Sequence, residues 1–257
     1  MTRIFFIHVM KVGGTSLASF LQSLYDRAEI CPVPKSRVWD TAFAAEARRY
    51  ELITGHFDTD FIRETRQPGM MLCMLRNPYD RIRSLYDFWR SFTWPAIIEG
   101  LPPVNGQRFA KLVTFEEFLL AGNPFIRQRV WNAATRQLLG KRYYKELEDN
   151  PERAAFEAFE VLRSLDWFGI SELSVEALRR LASILKITSL PEVPRLNRTY
   201  EHMRDGVLER EKVLKTVPSR RERELIAATN RADILLYNLA LRLFLSKPVS
   251  CQYARVD

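Results

Sequence analysis

Ile4-Phe5-Phe6-Ile7-His8-Val9-Met10-Lys11-Val12-Gly13-Gly14-Thr15-Ser16-Leu17 joins an apolar run to a glycine turn and then to an amphipathic segment. Residues 4–9 are β-rich and apolar on both faces, the pattern of a buried parallel strand. Leu17, Phe20, Leu21 and Leu24 then recur at helical spacing, which predicts a helix with one buried stripe. The two glycines let the backbone approach an anion closely. The helix start adds unpaired N–H groups and the favourable end of the dipole. Lys11 supplies a mobile charge, and Thr15 and Ser16 supply hydroxyl donors. A plain glycine turn with a capping hydroxyl is the bland alternative. Lys11 precedes the glycines, whereas the nucleotide-triphosphatase loop places its Lys after them, and the GxGxxG fingerprint is absent.

The same unit recurs downstream. Met70–Leu75 is a second apolar run, and Arg76-Asn77-Pro78 follows it with Asn at an N-cap and Pro at the first helical position. Ile82, Leu85, Tyr86 and Trp89 form the buried stripe of that helix, and Leu52-Ile53-Thr54 is a third, weaker strand. Residues 92–113 are rich in Pro, Gly and aromatics without periodicity, which predicts a long surface excursion or lid. Thr114 with Glu117, and Ser219 with Glu222, are capping boxes. The second opens a long helix with the stripe Leu225, Ala228, Ala232, Leu235, Leu239 and Leu243. Residues 127–139, 151–164 and 174–186 are expected to be helical, Trp167-Phe168-Gly169-Ile170 a last strand, and 191–204 irregular and basic. Alternating strands and helices predict an α/β fold with a central, mostly parallel sheet flanked by helices, and residues 1–257 as a single domain.

Composition narrows the partners. The chain has 257 residues, 47% of them apolar and 27% charged, which excludes wholesale disorder and collagen-like repeats. Lys plus Arg number 39 against 31 Asp plus Glu, a net charge of +8 carried mostly by arginine, the side chain that forks onto phosphate and sulfate. Cys31, Cys73 and Cys251 are scattered and odd in number, and His8, His56 and His202 do not cluster, so neither a disulfide framework nor a metal site is expected. No run reaches the roughly 18 apolar residues of a membrane span. The expectation is a cytoplasmic protein without a transmembrane segment.

Residues 7–17 resemble the 5′-phosphosulfate loop of sulfotransferases that use 3′-phosphoadenosine 5′-phosphosulfate (PAPS), with the flavour of the glycan branch that includes heparan sulfate 2-O-sulfotransferase and bacterial relatives. That branch carries Pro-Lys-Thr where this chain has Met10-Lys11-Val12. Leu75-Arg76-Asn77-Pro78-Tyr79-Asp80-Arg81-Ile82-Arg83-Ser84 resembles the family's 3′-phosphate motif, and Asn132-Ala133-Ala134-Thr135-Arg136-Gln137-Leu138 its Asn-x-x-Thr-Arg-x-Leu segment. Arg195-Leu196-Asn197-Arg198-Thr199 stands where a basic loop covers the nucleotide.

The resemblance implies a three-layer, P-loop-like fold and transfer of a sulfuryl group from PAPS to an acceptor hydroxyl, of a carbohydrate or small metabolite, releasing PAP. It implies that Gly13, Gly14, Thr15 and Ser16 hold the 5′-phosphosulfate, that Lys11 meets charge on the leaving oxygen, and that Arg76 and Ser84, with Arg198, hold the nucleotide. His56, in Thr54-Gly55-His56-Phe57, stands where that branch places its catalytic base, with His8 the next candidate. No metal and no nucleic acid is expected. Two other classes stay open: a small-molecule kinase, which predicts Lys after the glycines and a magnesium carboxylate at a strand end, and a non-catalytic basic nucleic-acid-binding protein, which predicts aromatics interleaved with a basic stripe.

Overall fold

The computed structural model describes residues 2–32, 41–100, 106–187, 204–205 and 208–246. The front half runs β1 (Ile4–Ile7), α1 (Gly14–Gln22), α2 (Thr41–Ala47), β2 (Leu52–Gly55), α3 (Thr59–Thr65), β3 (Met70–Leu75) and α4 (Pro78–Arg90). Helices α5 (Trp94–Gly100), α6 (Gly106–Leu112), α7 (Phe115–Leu119), α8 (Pro124–Val130), α9 (Ala133–Leu139) and α10 (Pro151–Ser164) follow. Next come β4 (Trp167–Ile170), α11 (Ser174–Ile184), a short antiparallel pair β5 (Arg204–Asp205) and β6 (Leu208–Glu209), then α12 (Arg220–Thr229) and α13 (Arg231–Ser246).

β1 to β4 form one parallel sheet in the order β2-β1-β3-β4, flanked by helices, which is the α/β architecture the opening residues predict. Every residue of β1 and β2 is buried, as near-continuous apolar strands require when both faces are covered. Ile7 lies level with Gly55 on one side and Cys73 on the other. The chain therefore leaves β1, β2 and β3 at the same sheet edge, where parallel α/β sheets place their ligands. On that edge stand the His8–Gly13 turn, His56 and Arg76.

Local signals act as their chemistry dictates. Asn77 Oδ1 accepts the Tyr79 N–H at 3.0 Å above Pro78, a cap worth about 0.5–2 kcal/mol, and Ile82, Leu85, Tyr86 and Trp89 are all buried. The Thr114 and Ser219 capping boxes both form.

Three expectations are corrected. Residues 92–113 are not an irregular excursion: α5 and α6 lie there, residues 101–105 falling outside the described part. A β-carbon on Gly106 would run into the Trp89 ring, and Ala110 is buried in an apolar cluster with Trp89 and Phe118. Packing against α4 makes α6 a helix; its own periodicity is too weak to announce it. The helix expected over 127–139 breaks at Trp131 and Asn132, the latter with φ 42, into α8 and α9. The long final helix breaks at Asn230, whose Oδ1 accepts the Asn132 N–H at 2.9 Å. The buried face lies one residue further along than the predicted stripe on both sides of the break: Ile226, Leu236, Ala240 and Phe244 are buried, only Ala232 is shared with the stripe, and Leu225 and Leu235 pack half-buried at its margin.

Candidate active site

The turn after β1 is built on two left-handed residues, Lys11 at φ 66 and Gly13 at φ 80. Glycine takes this conformation freely; lysine does so at a cost and must be held. Arg76, just past β3, donates Nη1–H to the Lys11 carbonyl at 3.0 Å and supplies that hold. Val12 is fully buried and anchors the turn from below. Gly13 caps α1 with no side chain, and no acidic residue stands in the first helical turn. No capping side chain and no carboxylate therefore occupies the α1 start, the end of the helix dipole that favours an anion. Thr15 is exposed there and Ser16 is half-buried.

Gly14 has a different task. A β-carbon there would collide with the His8 ring, so the helix start and the imidazole pack in direct contact. His8 stacks on Phe6 with centroids 5.4 Å apart and lies 4.6 Å from the His56 ring. His56 donates Nδ1–H to the His8 carbonyl at 2.5 Å, which leaves the lone pair on Nε2. His56 is exposed to solvent. Crowding by the surrounding chain still lowers its pKa, the His8 carbonyl opposes that, and Arg129 adds a smaller lowering. His8 is held neutral more firmly, by burial first and then by His56 and Lys11. Gln137 of α9 ties the assembly down, donating to the Phe57 carbonyl at 2.9 Å and reaching the His8 carbonyl at 3.5 Å.

Lys11 turns its ammonium onto the Phe88 ring of α4, 3.9 Å from the centroid. Arg210 lies 4.6 Å from the same ring and 5.5 Å from Phe92. Two cations therefore share one aromatic side chain. Burial, then Arg210 and Arg76, bring the Lys11 pKa down to about 7, with Asp87 acting in the other direction. Asp87 is fully buried and accepts the Thr216 hydroxyl at 2.6 Å, while the Glu211 N–H reaches the Ser91 carbonyl at 2.7 Å. Arg90 donates to the Leu214 carbonyl at 2.8 Å. These bonds lay residues 210–216 along α4 and deliver Arg210 to the turn.

Sequence reading passes over Arg210. In Glu209-Arg210-Glu211-Lys212 it has the look of a solvated charge, and its place follows only from the pairing of this segment with α4.

The remaining candidates divide. Ser84 lies on the buried side of α4, past Arg76 in the same strand-turn-helix unit. The turn between them is fixed by Glu172, whose Oε1 accepts the Asn77 N–H at 2.9 Å. Arg198, Arg195 and His202 lie outside the described residues. Asn132 and Thr135 belong to a buried network: Asp233 accepts the Thr135 N–H and hydroxyl, both at 2.8 Å, and stands 3.7 Å from Arg81. Arg81 in turn donates to the Arg129 and Val130 carbonyls at 2.9 and 2.8 Å. Asp233 thus caps α9 from α13, and these residues tie α4, α8, α9 and α13 together. Among the described residues no group of His, Cys, Asp and Glu is placed to hold a metal ion, and no helix is long and apolar enough to cross a membrane.

Compared with known proteins, residues 2–240 match the model of the sulfotransferase family. No curated protein matches the chain significantly.

Proposed function

We propose that this chain, which belongs to the sulfotransferase family, takes its sulfuryl group from PAPS and transfers it to the hydroxyl of a carbohydrate or small metabolite. Family membership makes it an enzyme of sulfuryl transfer to a hydroxyl acceptor. The donor assignment is carried by one contact, the Arg76 guanidinium on the Lys11 carbonyl. It joins the two anion-binding elements at one sheet edge, as a donor with a phosphosulfate at one end and a 3′-phosphate at the other requires. The uncapped start of α1, with no carboxylate in its first turn, fits the phosphosulfate.

In this reading the α1 N–H groups, Thr15 and Ser16 hold the phosphosulfate, Arg76 and Ser84 hold the 3′-phosphate, and Arg198 adds to nucleotide binding. His56 Nε2 accepts the acceptor's proton as the hydroxyl oxygen bonds to sulfur. Lys11 Nζ meets the charge gathering on the bridging oxygen as the sulfur–oxygen bond to the phosphate breaks. His8 serves by packing and through its carbonyl. Residues 1–257 act as one unit, and the reaction calls on no metal. Cys31 and Cys73 are free, buried thiols, in keeping with a reducing cytoplasm.

Thermal stabilisation by PAP tests the donor. PAP should raise the melting temperature as a native-state ligand does, and Arg76→Ala should remove most of the shift. Equal stabilisation by ATP would overturn the 3′-phosphate assignment and favour a kinase.

A further inference from the structure

A cavity of about 420 Å³ lies between α8, α9, the turn at Tyr143–Leu147 and the α12–α13 junction, away from the glycine turn. Three guanidinium groups line it, those of Arg127, Arg136 and Arg231, together with Trp131 and Tyr144. The capping of α9 by Asp233 fixes the phase of that helix. Thr135 then faces Asp233, Gln137 faces the His8 carbonyl, and Arg136 points into the cavity.

Arg136 is 9% exposed. Its Nη1 donates to the Tyr144 hydroxyl at 2.5 Å, but its buried Nε has no hydrogen-bond partner, and among the described residues no carboxylate pairs with it. A buried cation with an unmet N–H is costly and is retained where something supplies the missing acceptor. Arg127 lies 4.1 Å over the Trp131 ring, and its carboxylate partner Glu148 is 3.9 Å away, at the limit of an ion pair. Glu148 and Asp149 also line the cavity, so it is charged in both senses with arginine in excess. Such a lining suits a hydroxylated molecule that bears one acidic group.

We propose that this cavity is an anion subsite in which Arg136 takes a carboxylate or sulfate group, with Arg127 and Arg231 beside it and Trp131 and Tyr144 as walls. The proposal deepens the sulfotransferase reading. It rests on that reading only for the statement that the acidic group belongs to the acceptor.

The test keeps the donor pocket filled with PAP and titrates the full chain with glucuronate or with inorganic sulfate, following tryptophan fluorescence, with Trp131→Phe as the blank. Wild type should saturate, and Arg136→Gln should bind about tenfold or more weakly, the usual loss for a charge-assisted hydrogen bond. PAP affinity should be unchanged in that variant. Arg231→Gln alters an exposed residue and should weaken binding without touching the fold, so the proposal stays falsifiable if Arg136→Gln misfolds. Clearly tighter binding of glucuronate assigns the site to an acidic group carried by a hydroxylated acceptor. Equal or tighter binding of sulfate assigns it to a free anion. No saturable signal from either probe, or wild-type affinity in both variants, would overturn it. Loss of PAP binding with the anion response intact would instead sink the donor assignment and leave the subsite standing.

Discussion

His56 is aimed by His8: the Nδ1–H of one ring meets the backbone carbonyl of the other residue at 2.5 Å, while the two rings lie 4.6 Å apart. The carbonyl belongs to the residue that follows β1, and the His8 ring presses on Gly14 at the start of α1. The orientation of the proposed base is therefore set by the same turn that would hold the donor. Base and phosphosulfate loop form one mechanical unit, and this coupling makes the first two predictions sharp.

Removing the His56 ring should reduce turnover by about 10²–10⁴-fold, the range for a general base, with PAP affinity nearly unchanged. His56→Asn can still donate to the His8 carbonyl but cannot take a proton, so it should recover stability and not rate. The neutral ring is the active form, and crowding lowers its pKa. The acid limb of the rate profile should then fall below the ordinary imidazole value of 6.5. A well-folded His56→Ala enzyme with near-normal turnover would remove this residue from the chemistry.

Gly14→Ala places a methyl group where the His8 ring stands. The ring must move, and an overpacked position of this kind typically costs about 1–3 kcal/mol. Truncating His8 opens the space, so Gly14→Ala in a His8→Ala background should cost much less. Chemical denaturation of the four proteins in this double-mutant cycle measures the coupling. Additive losses would mean that the His8–Gly14 contact does not explain the glycine.

Much of this site was legible in the sequence because it is local. A strand, a glycine turn and a helix lie within residues 4–22, and Asn77-Pro78 announces its helix in two residues. The level ends of β1 and β2 then carry His56 to the turn. What was not legible is held by long-range contacts. Arg210 reaches Lys11 because Thr216 bonds Asp87, which lies 129 positions earlier, and no local pattern encodes that. The breaks at Asn132 and Asn230 arise the same way, since each residue bonds the other's segment from across the chain. Periodicity alone would continue both helices. Helix α6 was missed because burial against Trp89 outweighs weak local preference.

Lys11 should make donor binding pH-dependent. Its pKa of about 7 in the free protein lies below the ordinary 10.5, with burial as the main cause. Between those values the unfolded chain holds the extra proton, so this residue adds stability as pH rises through that window. Binding runs the other way, because a phosphosulfate or phosphate favours the charged ammonium. At pH 8 PAP should bind with uptake of close to one proton, measured by calorimetry in buffers of different ionisation enthalpy. Affinity should weaken as pH rises above 7. Proton-neutral binding at pH 8 would contradict the Lys11 assignment.

Arg210 is the second cause, after burial, of the lowered Lys11 pKa, and it acts across the Phe88 ring. Arg210→Gln removes a like charge without emptying the site, so the Lys11 pKa should rise. The alkaline fall in PAP affinity should move to higher pH in this variant. Two effects can then be separated by where they appear. Below pH 7 Lys11 is largely charged in both proteins, and any loss of affinity there reports a direct contact of Arg210 with the donor. Above pH 7 the variant should retain more of its own low-pH affinity than wild type does. Calorimetric titration of both proteins with PAP from pH 6 to pH 9 gives the two curves. If the midpoints coincide, Arg210 does not tune Lys11, and the shared position on Phe88 is packing alone.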